Sequence, residues 1–103
     1  MSKTKMRAGI AGAGFSASFH LEAARRIHGA DVEVVGVHAK TQASTQGFAQ
    51  KHGIQAFDDL AALLESIDVL HICIPPVLHE AMAVQALARG VFPIIEKPLT
   101  GFF

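Results

Sequence analysis

The sequence has few of the features that mark secreted, membrane or nucleic-acid-binding proteins. Its 103 residues include one cysteine, Cys73, which excludes an intrachain disulfide and is typical of the reducing cytoplasm. Nine basic and nine acidic residues give a formal net charge of zero, so no basic field exists to bind nucleic acid or an anionic membrane. No apolar run is long enough to span a bilayer. The N-terminus resembles a signal peptide only superficially, because glycines interrupt its apolar part.

Six histidines raise the question of a metal site. They form neither an H-x-x-x-H pair nor a cluster with cysteine, so we predict that the protein holds no metal. Cys73 lies in an apolar strand pattern and is expected to be an inert core thiol rather than a nucleophile. His71, in the same pattern, is expected to be a hydrogen-bonded histidine of the sheet, and His20 is expected to be structural.

Half of the residues are hydrophobic, and they alternate between strand-like and helix-like patterns along the chain. The predicted strands are residues 6–11, 32–38, 54–57, 69–74 and 91–96. The predicted helices are residues 15–28, a segment from a Thr41 cap to about residue 52, a segment from an Asp58 cap, and residues 78–89. Gly53 and Gly90 are predicted to end the second and the fourth of these helices.

Repeated β-α-β units require a parallel sheet with helical crossovers. The predicted fold class is therefore α/β, a Rossmann-type doubly wound parallel sheet of about five strands in the order 3-2-1-4-5. A chain of 103 residues is long enough for one domain at most, and we interpret residues 1–103 as a single dinucleotide-binding domain.

The stretch from Gly9 to His20 reads G-I-A-G-A-G-F-S-A-S-F-H and contains G-x-G-x-x-A as Gly12, Gly14 and Ala17. It follows a predicted strand and precedes a predicted helix, the arrangement that aims backbone N–H groups at a pyrophosphate. Gly12 would permit a sharp turn, Gly14 would leave room for the phosphates, and Ala17 would let the helix pack closely on the strand. The motif favours dinucleotide binding; a glycine-rich turn without a ligand is the alternative.

Two further motifs accompany the glycine turn, I-D-V-L-H-I-C-I-P-P-V-L-H at residues 67–79 and G-V-F-P-I-I-E-K-P-L at residues 90–99. Together the three resemble the N-terminal domain of the glucose–fructose oxidoreductase / inositol dehydrogenase (Gfo/Idh/MocA) family over residues 5–100. The resemblance implies an NAD(P)-dependent oxidoreductase that transfers hydride between the cofactor and a sugar, cyclitol or related polyol. Family members carry a second α/β domain that contacts the substrate. That domain is expected to be absent here, so that the isolated chain is catalytically incomplete.

The resemblance implies that Lys97 is the catalytic lysine. A lysine after the fifth predicted strand points into the crevice where such sheets bind ligands. Its ammonium would donate to a substrate hydroxyl or to the cofactor and would help to move a proton during hydride transfer. Glu96 would shape the site, and the family's lysine–proline bond, here to Pro98, is often cis. A solvated lysine at a strand end is the alternative interpretation.

The choice between NAD and NADP depends on the end of the second predicted strand. NAD binding requires an acidic residue there to accept a hydrogen bond from the ribose 2′-OH. By comparison with the family that position is Ala39, with His38 before it and Lys40 and Thr41 after it. We therefore predict NADP in preference to NAD, because a cation and no carboxylate is within reach. Alternatively, Lys40 is only the exposed start of a helical segment.

Pro75 and Pro76 end the fourth predicted strand and, in the family interpretation, cover the crevice. His79 matches a recurrent family histidine near the cofactor, although packing at a helix end explains it equally well. The predicted cofactor-binding residues are Gly9, Gly12, Gly14, Phe15, Ser16, Ala17, His38, Lys40, Thr41, Pro75, Pro76, His79, Glu96 and Lys97.

Two other functions remain as alternatives. A non-catalytic module that senses NADP(H) would keep the cofactor site while Lys97 had no chemical duty, and an S-adenosylmethionine enzyme on the same fold would have no use for the E-K-P motif. The fifth strand would leave an open sheet edge, so a homo-oligomer is expected. The predicted partners are thus a sugar or polyol substrate and further copies of the chain, with no nucleic acid and no membrane, in the cytoplasm.

Overall fold

The computed structural model describes residues 5–26 and 32–95, which form one parallel sheet flanked by helices. The strands are β1 (Met6–Ala11), β2 (Val32–His38), β3 (Gln55–Ala56), β4 (Val69–Ile72) and β5 (Phe92–Ile95). The helices are α1 (Phe15–Arg25), α2 (Gln42–His52), α3 (Leu60–Glu65) and α4 (His79–Ala88), and a 3₁₀ turn (Pro76–Leu78) immediately precedes α4.

The strand order is β3-β2-β1-β4-β5 and every pairing is parallel, which confirms the predicted fold class and topology. At the centre of the sheet Ile10 of β1 lies opposite Val37 of β2 and His71 of β4. Because the strands are parallel, their carboxyl ends meet at one edge, and the turns that follow β1, β2 and β4 lie side by side there.

The core consists of two apolar clusters. Ile10 belongs to the cluster of α1 and α2, whereas the next residue, Ala11, belongs to the cluster of α3 and α4. This division follows from the alternation of side chains along a strand. Burial on both faces explains why the central strands read as nearly continuous apolar runs. Among the described residues no helix is long and apolar enough to cross a bilayer.

The first two strands have the predicted bounds, and the ends of α2 also agree with prediction. Thr41 is the N-cap of α2, and Gly53 ends the helix in the left-handed conformation with φ +70°. Gly90 likewise follows α4 with φ +76°. The first helix is shorter than predicted, because α1 ends at Arg25 with Arg26 as its C-cap, and the predicted last residue, His28, lies outside the described residues.

The remaining elements differ from prediction at their ends. Asp59, not Asp58, is the N-cap of α3, because its Oδ1 accepts a hydrogen bond of 2.8 Å from the amide of Ala62. Both aspartates suit a cap chemically, and the path of the turn decides between them. β3 has only two residues, and β4 ends at Ile72 rather than at residue 74.

The fourth helix also starts later than predicted. Residue 78 belongs to the 3₁₀ turn, and the α-helix itself begins at His79. A 3₁₀ turn is a frequent way for a chain to enter a helix. β5 begins at Phe92, one residue later than predicted, and the predicted last residue of that strand, Glu96, lies outside the described residues.

Candidate functional site

The start of α1 lies at the carboxyl edge of the sheet and is not capped by a side chain. Gly14 is its N-cap, no described side chain makes a cap hydrogen bond there, and the first turn contains no acidic residue. The first helical hydrogen bond runs from the Ser18 amide to the Gly14 carbonyl at 3.1 Å, so the amides of residues 15–17 precede the hydrogen-bond ladder. Such a helix start carries a partial positive charge and free donors, which together suit an anion.

Gly12 makes the turn between β1 and α1 possible. Its φ is +118°, and a Cβ there would lie 2.3 Å from the carbonyl oxygen of Cys73. The Gly12 amide donates to the His38 carbonyl at 2.9 Å, and the Cys73 amide donates to the Ala11 carbonyl at 2.8 Å. The turn is therefore tied to the ends of both β2 and β4, at a distance that only glycine permits.

Other residues of the predicted glycine motif have different surroundings. A Cβ added at Gly14 would meet no atom within 4 Å, so the space in front of the helix start is open. Ser16 is exposed on the first turn of α1, and Ala17 is fully buried in the core beneath the helix. Phe15 is the first residue of α1.

Gly9 has a packing role. It lies inside β1, three residues before the turn, and a Cβ there would come within 2.9 Å of side-chain atoms of Leu63 and Ile67. The missing side chain lets α3 and the segment after it approach the sheet. Gly9 lines none of the cavities described below.

The segment between β2 and α2 forms the second wall of the site. Ala39 is buried, Lys40 is exposed, and Thr41 caps α2 by accepting from the Ser44 amide at 3.0 Å. The Nδ1–H of His38 donates to the Phe57 carbonyl at 2.9 Å. No described residue forms an ion pair with Lys40.

The segment between β4 and α4 forms the third wall. Nε2 of His79 donates to the Ile74 carbonyl at 2.6 Å and so braces the chain that carries Pro75. Pro76 begins the 3₁₀ turn, and Leu78, the last residue of that turn, is half exposed. The structure thus gives His79 a bracing contact within the turn, in keeping with the helix-end alternative considered for it.

Three adjoining cavities open between these walls, and Lys40 lines all of them. The first, about 420 Å³, is lined by Gly12, Ala13, Gly14, Ala39, Lys40, Ser44, Cys73, Ile74 and Pro75. The second, about 280 Å³ and mainly apolar, is lined by His38, Ala39, Lys40, Ile74, Pro75, Leu78 and Met82. The third, about 190 Å³, is lined by His38, Ala39, Lys40, Gln42, Thr45 and Asp58. We call these three cavities together the crevice.

Several lining residues were not among those predicted from the sequence, namely Ala13, Gln42, Ser44, Thr45, Asp58, Cys73, Ile74, Leu78 and Met82. Ser44 had a usable signal, since it lies three residues after the predicted Thr41 cap, where a capped helix brings the two together. Leu78 and Met82 are four residues apart, a spacing that places two side chains on one face of a helix. The 3₁₀ turn that contains Leu78 and precedes the helix of Met82 has no clear signal in the sequence.

The structure also shows the surroundings of Cys73, of His20 in α1 and of His71 in β4. Cys73 follows β4 rather than lying inside it, and it is half-buried where it lines the largest cavity of the crevice. Nδ1 of His20 and Nδ1 of His71 are 3.0 Å apart, so one imidazole donates to the other. Burial lowers the pKa of His71, and the neighbouring His20 lowers it further. Glu96, Lys97 and the bond to Pro98 lie outside the described residues.

Comparison with known proteins agrees with this geometry. The Gfo/Idh/MocA oxidoreductase family, described by its NAD-binding Rossmann fold, matches residues 6–101. An inositol 2-dehydrogenase from Arthrobacter sp. is 38% identical over 100 residues, which cover 92% of this chain and 29% of that protein. The curated relatives that it matches are far longer. The chain spans 31% of a dTDP-3,4-didehydro-2,6-dideoxy-alpha-D-glucose 3-reductase from Streptomyces antibioticus and 25% of a glucose-6-phosphate 3-dehydrogenase from Bacillus subtilis.

Two solved structures that resemble this chain contain different cofactors, NADP in one and NADH in the other. A variant of a 3-ketoreductase from Actinomadura kijaniata, in complex with TDP-benzene and NADP, has a TM-score of 0.80 at 25% identity and covers 93% of this chain and 31% of its own. The WlbA dehydrogenase from Bordetella pertussis, in complex with NADH and UDP-GlcNAcA, has a TM-score of 0.82 at 27% identity and covers 92% and 29%. The resemblance seen in the three sequence motifs is thereby confirmed, and the chain belongs to the Gfo/Idh/MocA family of oxidoreductases, in the part that forms the NAD-binding Rossmann fold.

Proposed function

We propose that residues 1–103 act as the cofactor-binding domain of an oxidoreductase and that the crevice holds NADP(H). The observation that carries this proposal is the uncapped start of α1, which faces the largest cavity of the crevice through Gly14. The amides there suit a pyrophosphate, and the apolar cavity lined by Ile74, Leu78 and Met82 suits a flat base. When bound, the nicotinamide supplies or accepts a hydride.

The preference for the phosphorylated cofactor rests on the segment after β2. Ala39 offers no carboxylate to the ribose, whereas Lys40 and the hydroxyl of Ser44 line the same cavity as the α1 start. A lysine that forms no ion pair with any described residue would gain a charge-assisted hydrogen bond from a 2′-phosphate. Asp58 is the opposing feature, because its carboxylate lines the polar cavity on the other side of Lys40 and would favour the unphosphorylated ribose of NAD.

Calorimetric titration of the chain with NADP and with NAD tests both the proposed binding of a dinucleotide and the proposed preference for NADP. We expect saturable binding of both, with the smaller dissociation constant for NADP. Tighter binding of NAD would overturn the NADP preference and would point to Asp58. Absence of binding by either dinucleotide would overturn the function itself.

Lys97 and Glu96 are proposed to complete the site. Lys97 would hold or donate a proton at the reacting carbon–oxygen group, and Glu96 would orient that ammonium. The substrate class of the whole protein is proposed to be a sugar, a cyclitol or a related polyol, in line with the inositol 2-dehydrogenase that the chain resembles. Lys97→Ala is expected to abolish turnover by the complete enzyme in a steady-state assay.

The isolated chain is proposed to turn over little. Hydride transfer requires the substrate to be held against the nicotinamide, and the chain spans only about three tenths of its relatives' length. A steady-state assay of the 103-residue chain with a polyol panel should show no measurable reduction of cofactor. Robust turnover would contradict this proposal and would also exclude the alternative of a non-catalytic module that senses NADP(H). That alternative makes its own prediction, that Lys97→Ala leaves the biological output unchanged.

We also propose that the chain self-associates through β5. Among the described strands β5 pairs only with β4, and Phe92 and Ile95 on it are 64% and 41% exposed. An open strand edge with exposed apolar side chains is a template for pairing with another chain. Light scattering at micromolar concentration should give a mass above that of one chain, and a monomeric mass would contradict the proposal.

A further inference from the structure

We propose that Thr45 is a positioning residue that sets cofactor preference by holding the backbone on both sides of Lys40. This inference rests on the proposed function of the crevice. Thr45 lines the third cavity of the crevice, but the proposed effect acts through the backbone that its hydroxyl holds. The inference arises from a network of hydrogen bonds centred on one buried hydroxyl.

Thr45 lies on the first turns of α2 with only 2% of its surface exposed. Its Oγ1 accepts a hydrogen bond of 2.9 Å from the amide of Ala39 and donates to the carbonyl of Thr41 at 2.8 Å. The same hydroxyl lies 3.4 Å from the Ala39 carbonyl. One oxygen therefore links the residue before Lys40 to the residue after it.

The hydrogen bond from the Ala39 amide to Thr45 Oγ1 is the one whose loss should move the backbone. Ala39 is only 7% exposed, so its amide has little access to water if the hydroxyl is removed. A buried amide without a partner is costly, and the chain would move to regain one. Thr41, by contrast, keeps a second attachment to α2, because its carbonyl also accepts from the Thr45 amide at 3.0 Å and its side chain caps the helix.

Movement of Ala39 would displace Lys40 selectively. Lys40 lines all three cavities of the crevice, and its position relative to Ser44 decides whether both reach one phosphate. The α1 start is held by other bonds, from Gly12 to His38 and from Cys73 to Ala11, which do not include Thr45. Loss of the hydroxyl should therefore weaken contact with a 2′-phosphate more than contact with a pyrophosphate.

The test compares Thr45→Val, which keeps the shape and removes the hydroxyl, with Thr45→Ser, which keeps the hydroxyl. Ser66→Ala is the matched control, since Ser66 Oγ also donates to a carbonyl four residues earlier, at 3.2 Å, but at the C-cap of α3, and Ser66 lines none of the three cavities of the crevice. Dissociation constants for NADP and NAD are measured by calorimetry. Exchange of the Ala39 amide is measured by NMR on the cofactor-free chain.

We expect Thr45→Val to raise the NADP dissociation constant about tenfold and the NAD constant by less than about twofold, with Thr45→Ser and Ser66→Ala close to wild type. The Ala39 amide should exchange slowly in the wild type and quickly in Thr45→Val. Equal weakening of both cofactors, or an unchanged ratio, would overturn the inference. If Thr45→Val does not fold, Thr45→Cys replaces it in the same comparison, because a thiol is a weak hydrogen-bonding group.

Failure of this inference is distinguishable from failure of the proposed function. If the wild type binds neither dinucleotide, the proposed function fails and the inference falls with it. If the wild type binds and its NADP-to-NAD ratio does not respond to Thr45→Val, only the inference fails. An Ala39 amide that exchanges quickly in the wild type would likewise sink the inference alone, whatever the cofactor titrations show.

Discussion

The starts of α1 and α2 lie at the same edge of the sheet, yet their hydrogen-bonding groups are used in opposite ways. At α1 a glycine stands at the N-cap and no described side chain makes a cap hydrogen bond. At α2 the Thr41 side chain accepts from the Ser44 amide, and the buried Thr45 hydroxyl joins the preceding segment to the helix. The start of α1 thus has no side-chain cap, whereas polar side chains within the protein accept hydrogen bonds at the start of α2.

We expect the two helix starts to contact different parts of a bound dinucleotide. Backbone amides at α1 would bind the part of the ligand that every dinucleotide shares, and they need only an open space in front of Gly14. The segment before α2 would instead present one side chain, Lys40, whose effect depends on where a fixed backbone places it. Substitutions at α1 should therefore affect all dinucleotides, and those near α2 should alter their ratio.

The largest effect is expected from Gly12→Ala. The new Cβ would lie 2.3 Å from the Cys73 carbonyl oxygen at a φ of +118°, so the turn must break its ties to β2 and β4. We expect the free energy of unfolding to fall by about 3 kcal/mol or more, measured by urea denaturation. Gly53→Ala is the control, because it has a positive φ of +70° but no neighbour within 4 Å, and it should cost about 1 kcal/mol. Similar losses in both variants would show that the close approach is unimportant.

Gly14→Ala should separate binding from folding. The backbone at Gly14 is extended, and a Cβ there meets nothing in the protein, so stability should change by less than about 1 kcal/mol. The methyl group would stand in the space proposed for the pyrophosphate and should raise the dissociation constants of NAD and NADP alike, by about thirtyfold. Calorimetry and denaturation on the same sample provide the two readouts. Unchanged affinity for both cofactors would remove the α1 start from the binding site.

Lys40→Ala is the corresponding test at the other helix start. We expect the NADP dissociation constant to rise about tenfold and the NAD constant to stay nearly unchanged, because only NADP offers a phosphate to this ammonium. The difference should shrink as salt is added. Lys5→Ala is a suitable control, since Lys5 pairs with Glu33 beside the other end of the sheet. An equal loss for NAD and NADP would assign Lys40 to a part of the ligand that both share.

The smallest effect is expected from two histidines, His71 of β4 and His52 at the end of α2. Burial lowers the pKa of His71 beneath α1, and burial together with Lys51 and Arg25 lowers the pKa of His52 at the end of α2. Folding disfavours the protonated imidazole in both cases. The contribution of these two histidines to the free energy of unfolding should therefore be fully present above the ordinary histidine pKa of about 6.5. It should be lost as the pH falls through their lower pKa values in the folded protein.

Thermal denaturation between pH 5 and pH 8 checks this expectation. His71→Asn removes one titrating group and keeps the ability to form a hydrogen bond with His20, so the loss of stability at low pH should become shallower. The pH profile of this variant would match that of the wild type if His71 did not contribute.

Much of the architecture was predictable because it depends on local patterns. The bounds of β1 and β2, the Thr41 cap, the Gly53 terminator and the strand order all follow from apolar periodicity, turn residues and the handedness of β-α-β units. The choice of Asp59 over Asp58 as a cap did not follow, since neighbouring aspartates are chemically equivalent and only the turn orients one of them correctly.

The glycine turn and its position before a helix could be read directly from the chain, because a positive φ and a close backbone approach leave glycine little competition. The role of Thr45 could not, since its bond to Ala39 joins residues six apart through an irregular segment whose path is set by packing. The apolar cavity that Leu78 and Met82 line together with Pro75 and Lys40 likewise depends on how the 3₁₀ turn joins β4 to α4. Local chemistry thus specified which backbone would meet a ligand, and the folded packing of distant segments decided which side chains stand around it.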